Sequence, residues 1–95
     1  MSGYAYMMSN KPRGVLYTGV AAELGLRAHQ HKTGAGSAFC RRYGIDRLVW
    51  CEHFERIEDA IAREKQVKKW RRAWKIRLIE EMNPNWDDLY LTLNR

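Results

Sequence analysis

Ser9-Asn10-Lys11-Pro12-Arg13-Gly14 packs turn formers between two short runs of β-forming residues, and no other stretch limits the fold as sharply. Tyr4-Ala5-Tyr6-Met7-Met8 precedes it. Val15-Leu16-Tyr17-Thr18-Gly19-Val20 follows, alternating branched and aromatic residues and ending at a glycine. The chain reversal between them predicts an antiparallel hairpin that brings Tyr6 and Tyr17 into one neighbourhood.

Beyond the hairpin, Leu24-Gly25-Leu26-Arg27-Ala28-His29-Gln30-His31 reads as a helix. Leu24, Arg27, Ala28 and His31 recur at i, i+3, i+4 and i+7 and share a face. A core-facing helix normally carries leucines at such places, whereas here Arg27 and His31 stand one turn apart. Burial of their stems at the edge of an apolar stripe is the plain alternative. Ala21-Ala22 lacks the Ser, Thr or Asp of a good cap, so this helix is expected to start weakly. Lys32 to Ser37 reads as a flexible loop. Arg41, Arg42 and Tyr43 come next, the two arginines as candidate phosphate contacts. Leu48-Val49-Trp50-Cys51, extending to Phe54, is the third strand.

Ile57, Ala60, Ile61 and Glu64 mark the next helix, with Glu58 and Asp59 in its first turn and Lys68-Lys69 in its last, as the helix dipole favours. Glu64 lies on the apolar stripe, where an unpaired carboxylate is costly to bury. It calls for a counter-charge, from Arg27 or from a metal ion. A final helix over Arg72 to Met82 should stop before Asn83-Pro84. From Ala60 to Ile79 the basic residues Arg63, Lys65, Lys68, Lys69, Arg71, Arg72, Lys75 and Arg77 are accompanied by the single acid Glu64. With a net charge of +6, this run favours a polyanionic partner, a solvated face being the alternative. Trp70 and Trp74 suit contact with nucleic acid, yet with Ala73 and Leu78 they keep helical spacing, and core packing is their expected job.

These residues resemble the GIY-YIG nuclease superfamily. Tyr4-Ala5-Tyr6 stands where its first triplet belongs and Tyr17-Thr18-Gly19 where its second does. Arg27 and His31 match its Leu-x-x-Arg-x-x-x-His helix, and Glu64 matches its metal-binding glutamate. Ala5 replaces a usually bulky residue, and neither Asn83 nor Asn85 lies where larger members carry an asparagine. The segment Asn83 to Leu89 is similar to the tail of small bacterial members. The resemblance implies an α/β fold, a small three-stranded antiparallel sheet flanked by three helices, as one domain over residues 1–95. It also implies a metal-dependent DNA endonuclease, structure-directed or of low sequence specificity. Glu64 would hold Mg²⁺ or Mn²⁺ and Arg27 would neutralise charge on the phosphorane-like transition state. Tyr17, alone or with His31 or Tyr6, would orient and deprotonate the attacking water. Lys65, Lys68, Lys69, Arg71, Arg72 and Lys75 join Arg41 and Arg42 as expected DNA contacts. A nucleic-acid-binding module that keeps the scaffold but cuts little or not at all is the alternative.

Ninety-five residues suffice for a modest core without metal or disulfide staples. Cys40 and Cys51 form no CxxC pair and match no zinc spacing, so both are expected reduced and buried. No apolar run reaches membrane-span length and the N-terminus has no signal-peptide core, hence an expected cytoplasmic location without membrane partners. No small-molecule cofactor is expected, and the chain is read as a monomer or weak homodimer.

Overall fold

The computed structural model describes residues 1–93. Residues 94 and 95, counted in the expected 1–95 domain, lie outside the described residues. In chain order the elements are β1 (Gly3–Ser9), β2 (Leu16–Ala21), α1 (Leu24–Lys32), α2 (Ala38–Tyr43), β3 (Arg47–Phe54), α3 (Ile57–Lys68), α4 (Arg72–Met82) and α5 (Tyr90–Leu93). The three strands form an antiparallel sheet in the order β2-β1-β3. Two short helices, α2 and α5, add to the three expected. Turn chemistry explains α2: Ser37 Oγ accepts from Cys40 N at 3.1 Å, and Gly44 closes the helix at φ 63°.

Central β1 carries apolar residues on both faces because helices cover both. Ala5 and Met7 join Val49, Trp50, Val67, Ile79 and Trp86 on the α3–α4 side. Tyr6 and Met8 join Ala21, Leu24, Cys40, Ile45 and Leu48 on the α1–α2 side. A register shift between Met7 and Met8 pairs Met7 with Trp50 and Met8 with Leu48, leaving Val49 as the extra residue. This bulge re-aims β3, so that Val49 and Trp50 both serve the α3–α4 core. Cys40 is buried as expected, while Cys51 is only half-buried. Trp70 packs against the core from the break between α3 and α4. Trp74, expected in the core, is exposed on α4. The break resets the helical phase, so a spacing that reads as continuous in sequence is not one stripe in space.

The segment after α4 closes the outer edge of β3. Leu89 N donates to Leu48 O at 2.8 Å, and Asp88 Oδ1 accepts from Leu48 N at 3.1 Å. Asp88 also pairs with Lys32 at the end of α1. Asn83 is buried, its Nδ2 donating to Val49 O at 3.1 Å and Asp87 O at 2.8 Å, its Oδ1 accepting from Asp87 N at 3.0 Å. All its polar atoms are thus committed to the scaffold. An edge strand otherwise offers an unpaired row of N–H and C=O groups, and this segment occupies that row.

The β1–β2 turn is held from α4. Arg13, in the left-handed region at φ 55°, donates to both Glu80 oxygens at 2.9 Å. Glu80 Oε2 also accepts from Trp86 Nε1 at 2.7 Å. The Arg13 hydrogen bonds and the Trp86 N–H hold the Glu80 carboxyl down to about 2. A depressed folded pKa contributes stability above the ordinary carboxyl value of 4.5 that is lost as pH falls towards about 2. The stability difference between wild type and Glu80→Gln, measured by urea unfolding, should therefore be full at neutral pH and shrink through that window. A difference independent of pH would show that the charge contributes nothing.

Candidate active site

On the α1 side of the sheet, β1 delivers Tyr6 and β2 delivers Tyr17. The pairing of Tyr6 with Gly19 and of Met8 with Tyr17 sets their ring centroids 6.3 Å apart. His31 on α1 completes the cluster. Its Nε2 lies 3.1 Å from Tyr6 Oη, and its ring meets that of Tyr17 edge-on at 5.3 Å. Glycines make both approaches possible. A Cβ at Gly19 would sit 2.7 Å from Tyr6 Oη, and one at Gly36 would sit 2.6 Å from His31 Nδ1.

Burial pushes the Tyr6 phenol above its ordinary value, aided by nearby Tyr17 and opposed by Arg27. Burial, and then the Arg27 charge, lower His31 below 6.5. Tyr6 keeps its proton and His31 is neutral at pH 7. Nε2 is engaged with Tyr6, and Nδ1 is buried without a partner under Gly36, so neither ring nitrogen is open to a bound water. Tyr17, half-buried, makes no side-chain hydrogen bond among the described residues. Arg27 is exposed on α1 beside Tyr6 and His31, and no ion pair among the described residues holds it. The N-cap of α1 is Glu23 rather than the expected Ala21-Ala22, and it makes no side-chain cap bond to the helix that starts at Leu24.

Glu64 comes from a different element, α3. It projects from α3 on the stripe shared with buried Ala60 and Val67, and α3 packs on the opposite face of the sheet. Tyr17 and Glu64 thus belong to different layers, with edge strand β2 the element common to both. The expected Arg27 counter-charge is not what Glu64 has. Lys68, one turn on, pairs with it at 3.3 Å, the Glu64 side chain being only 12% exposed. Helical spacing puts Lys68 beside Glu64, whereas Arg27 sits on a helix across the sheet.

A metal ion therefore has one shielded carboxylate to bind. No group of three or more His, Cys, Asp or Glu side chains gathers among the described residues. A lone carboxylate fits Mg²⁺ or Mn²⁺, which keep much of their water and take phosphate oxygens as further ligands. The asparagines left open by the sequence are placed differently: Asn83 is consumed by the tail network and Asn85 is exposed.

The basic residues divide into two groups. Arg72 reaches back to the β1–β2 turn, its Nη2 donating to Arg13 O and, at 2.7 Å, to Gly14 O. Lys68 serves Glu64. Arg41, Arg42, Lys65, Lys69 and Arg71 are exposed, and Lys75 is half-buried. Two contributors that sequence reasoning passed over are Gly36, read as part of a flexible loop, and Phe39. Phe39 is exposed, its ring 6.5 Å from Tyr17 and 4.9 Å from Tyr43. Ser37 and Gly44, a cap and a stop six residues of helix apart, are the signal that places Phe39 and Tyr43 on one helical face.

The state of His31 is open to measurement. Its NMR titration midpoint should fall below 6.5, and Arg27→Ala should raise it without restoring 6.5, because burial is the larger cause. A wild-type midpoint at or above 6.5 would show that the ring is not desolvated.

Comparison with known proteins gives a consistent result. The family model described as the GIY-YIG catalytic domain matches residues 2–77. UPF0213 proteins of Staphylococcus aureus strains Mu3, Mu50 and N315 are each 35% identical over 68 residues, covering 72% of this chain and 83% of theirs. The solution NMR structure of a UPF0213 protein from Bacillus halodurans superposes with a TM-score of 0.58 at 28% identity, covering 93% of both chains.

Proposed function

This chain belongs to the GIY-YIG family of nuclease domains, and on that footing we propose that it is a divalent-metal-dependent DNA endonuclease of low sequence specificity. One observation carries the reading. Tyr6 Oη and His31 Nε2 hold each other and His31 Nδ1 is enclosed under Gly36, which leaves the Tyr17 hydroxyl and the exposed Arg27 guanidinium beside Tyr6 as the groups of that face open to a substrate.

In this reading Tyr17, acting as the phenolate, orients the attacking water and takes its proton. The water oxygen bonds to phosphorus as the bond to the leaving sugar oxygen breaks. Arg27 grips the phosphate and neutralises charge that grows in the transition state. Tyr6 and His31 are positioning residues, one holding the other, with the His31 ring edge fixing Tyr17. Glu64 would hold the Mg²⁺ or Mn²⁺, which when bound polarises a phosphate oxygen and stabilises the leaving oxygen. Arg41, Arg42, Lys65, Lys69, Arg71 and Lys75 contact phosphates without reading bases. The binding-module alternative draws support from the Lys68–Glu64 pair, since a carboxylate with its own counter-ion is satisfied without metal.

The deciding experiment incubates the protein with supercoiled, linear, branched and single-stranded DNA, with Mg²⁺, with Mn²⁺ and with chelator. Cleavage should require metal. Glu64→Gln should bind DNA yet not cut it; cleavage at the wild-type rate would remove Glu64 from the site. Arg27→Lys keeps the charge but loses the planar fork, and cleavage should fall on the order of 100-fold with melting temperature and affinity preserved. Duplex affinity should drop steeply with salt and depend little on sequence. An affinity unchanged by salt would make the basic run a solvated face.

A further inference from the structure

Where α3 breaks into α4, a cleft of about 320 Å³ opens, lined by Arg63, Trp70, Trp74, Arg77, Leu78 and Glu81. We propose that this cleft binds one unpaired nucleobase of a DNA strand, a second site distinct from the tyrosine–histidine cluster. The proposal rests on the nucleic-acid reading above and names its substrate class as DNA with a single-stranded segment.

The lining suits a flat, polar-edged aromatic ligand. The two tryptophan rings meet edge to face, 6.1 Å between centroids. Trp70 is fixed by packing against the core, whereas Trp74 is 44% exposed. Each ring already carries a guanidinium, Arg63 over Trp70 at 5.3 Å and Arg71 over Trp74 at 4.9 Å. Planar cations resting on indole faces show that these surfaces attract flat, π-compatible groups. Arg63 is oriented by Glu52 at 3.0 Å and Gln66 at 2.6 Å, so its plane is set in advance. Arg77 and Glu81 lie one turn apart on α4 but form no ion pair among the described residues. One free donor and one free acceptor therefore face the same cleft, as the edge of a base requires. The volume lies at the small end of ligand sites, too narrow for the end of a duplex. A strand suits it better than a free nucleotide because exposed Lys69 and Arg71 adjoin Trp70 in the chain, Arg71 lying over Trp74, where cations can meet the phosphates next to a seated base.

The test titrates an oligothymidylate, an abasic chain of equal length and free thymidine monophosphate into the wild-type protein, with chelator present, reading tryptophan fluorescence. The oligothymidylate should quench, with an affinity about tenfold or more above that of the abasic chain. Trp74→Ala should lose that advantage at an unchanged melting temperature, and Trp74→Phe should largely keep it. Equal affinities for the base-bearing and abasic chains in wild type would overturn the proposal whether or not any variant folds. Thymidine monophosphate binding as tightly as the oligomer would also overturn it, assigning the cleft to a free nucleotide. Cleavage assayed in parallel separates the two readings. Base-dependent quenching without cleavage leaves this site standing and removes the nuclease activity, whereas cleavage without base-dependent quenching does the reverse.

Discussion

The contact between Tyr6 Oη and His31 Nε2 ties the centre of the sheet to the helix that follows the hairpin. Buried at both ends, it resists competition from water, and a polar group left without it there would cost about 1–3 kcal/mol. Its geometry depends on absences. Gly19 leaves room for the phenol and Gly36 for the imidazole, so two glycines from different loops and strands are required by one hydrogen bond. The contact also limits the chemistry available nearby, since it engages Tyr6 Oη and His31 Nε2 while Tyr17 and Arg27 keep exposure to solvent. A hydrogen bond of this kind is both a packing constraint and a division of labour.

Much of the remaining polar inventory holds chain segments that have little secondary structure of their own. Arg13, Glu80 and Trp86 form a chain that binds the hairpin turn to α4 and to the tail. Arg72 braces the same turn from the start of α4. Asn83 and Asp88 fasten the tail along β3. Basic residues in one contiguous run therefore have unlike fates: one holds a turn, one neutralises a carboxylate, and others meet solvent. A count of positive charge predicts the sign of the surface potential but not which cations are available to a phosphate backbone.

The two-layer placement of Glu64 has a physical consequence. A carboxylate facing the tyrosine pair directly would sit close to Tyr6, whose environment already penalises charge. Carried on α3 instead, it is largely shielded and paired with exposed Lys68, which compensates its charge.

Strands, helices and their order were legible in the sequence because they rest on local chemistry. Turn formers at Ser9–Gly14 make the hairpin, and β-branched and aromatic runs make the strands. Helical spacing places Arg27 beside His31, and Asn83-Pro84 stops α4 at Met82. The short helices α2 and α5 escaped that reading. One is set by a single serine cap, and the other is packed against α1 by the tail. Which strand lies in the middle, that Trp74 faces solvent, that Lys68 rather than Arg27 neutralises Glu64, and that Asn83 belongs to the scaffold were decided only by the tertiary structure. Each depends on what lies across the sheet or beyond a helix break. Sequence by itself determined which groups were present and which neighbours shared a helix face or a hairpin. Long-range packing decided which of those groups were consumed and which were left free, because a hydrogen bond or an ion pair is made with whatever the fold brings within about 3 Å.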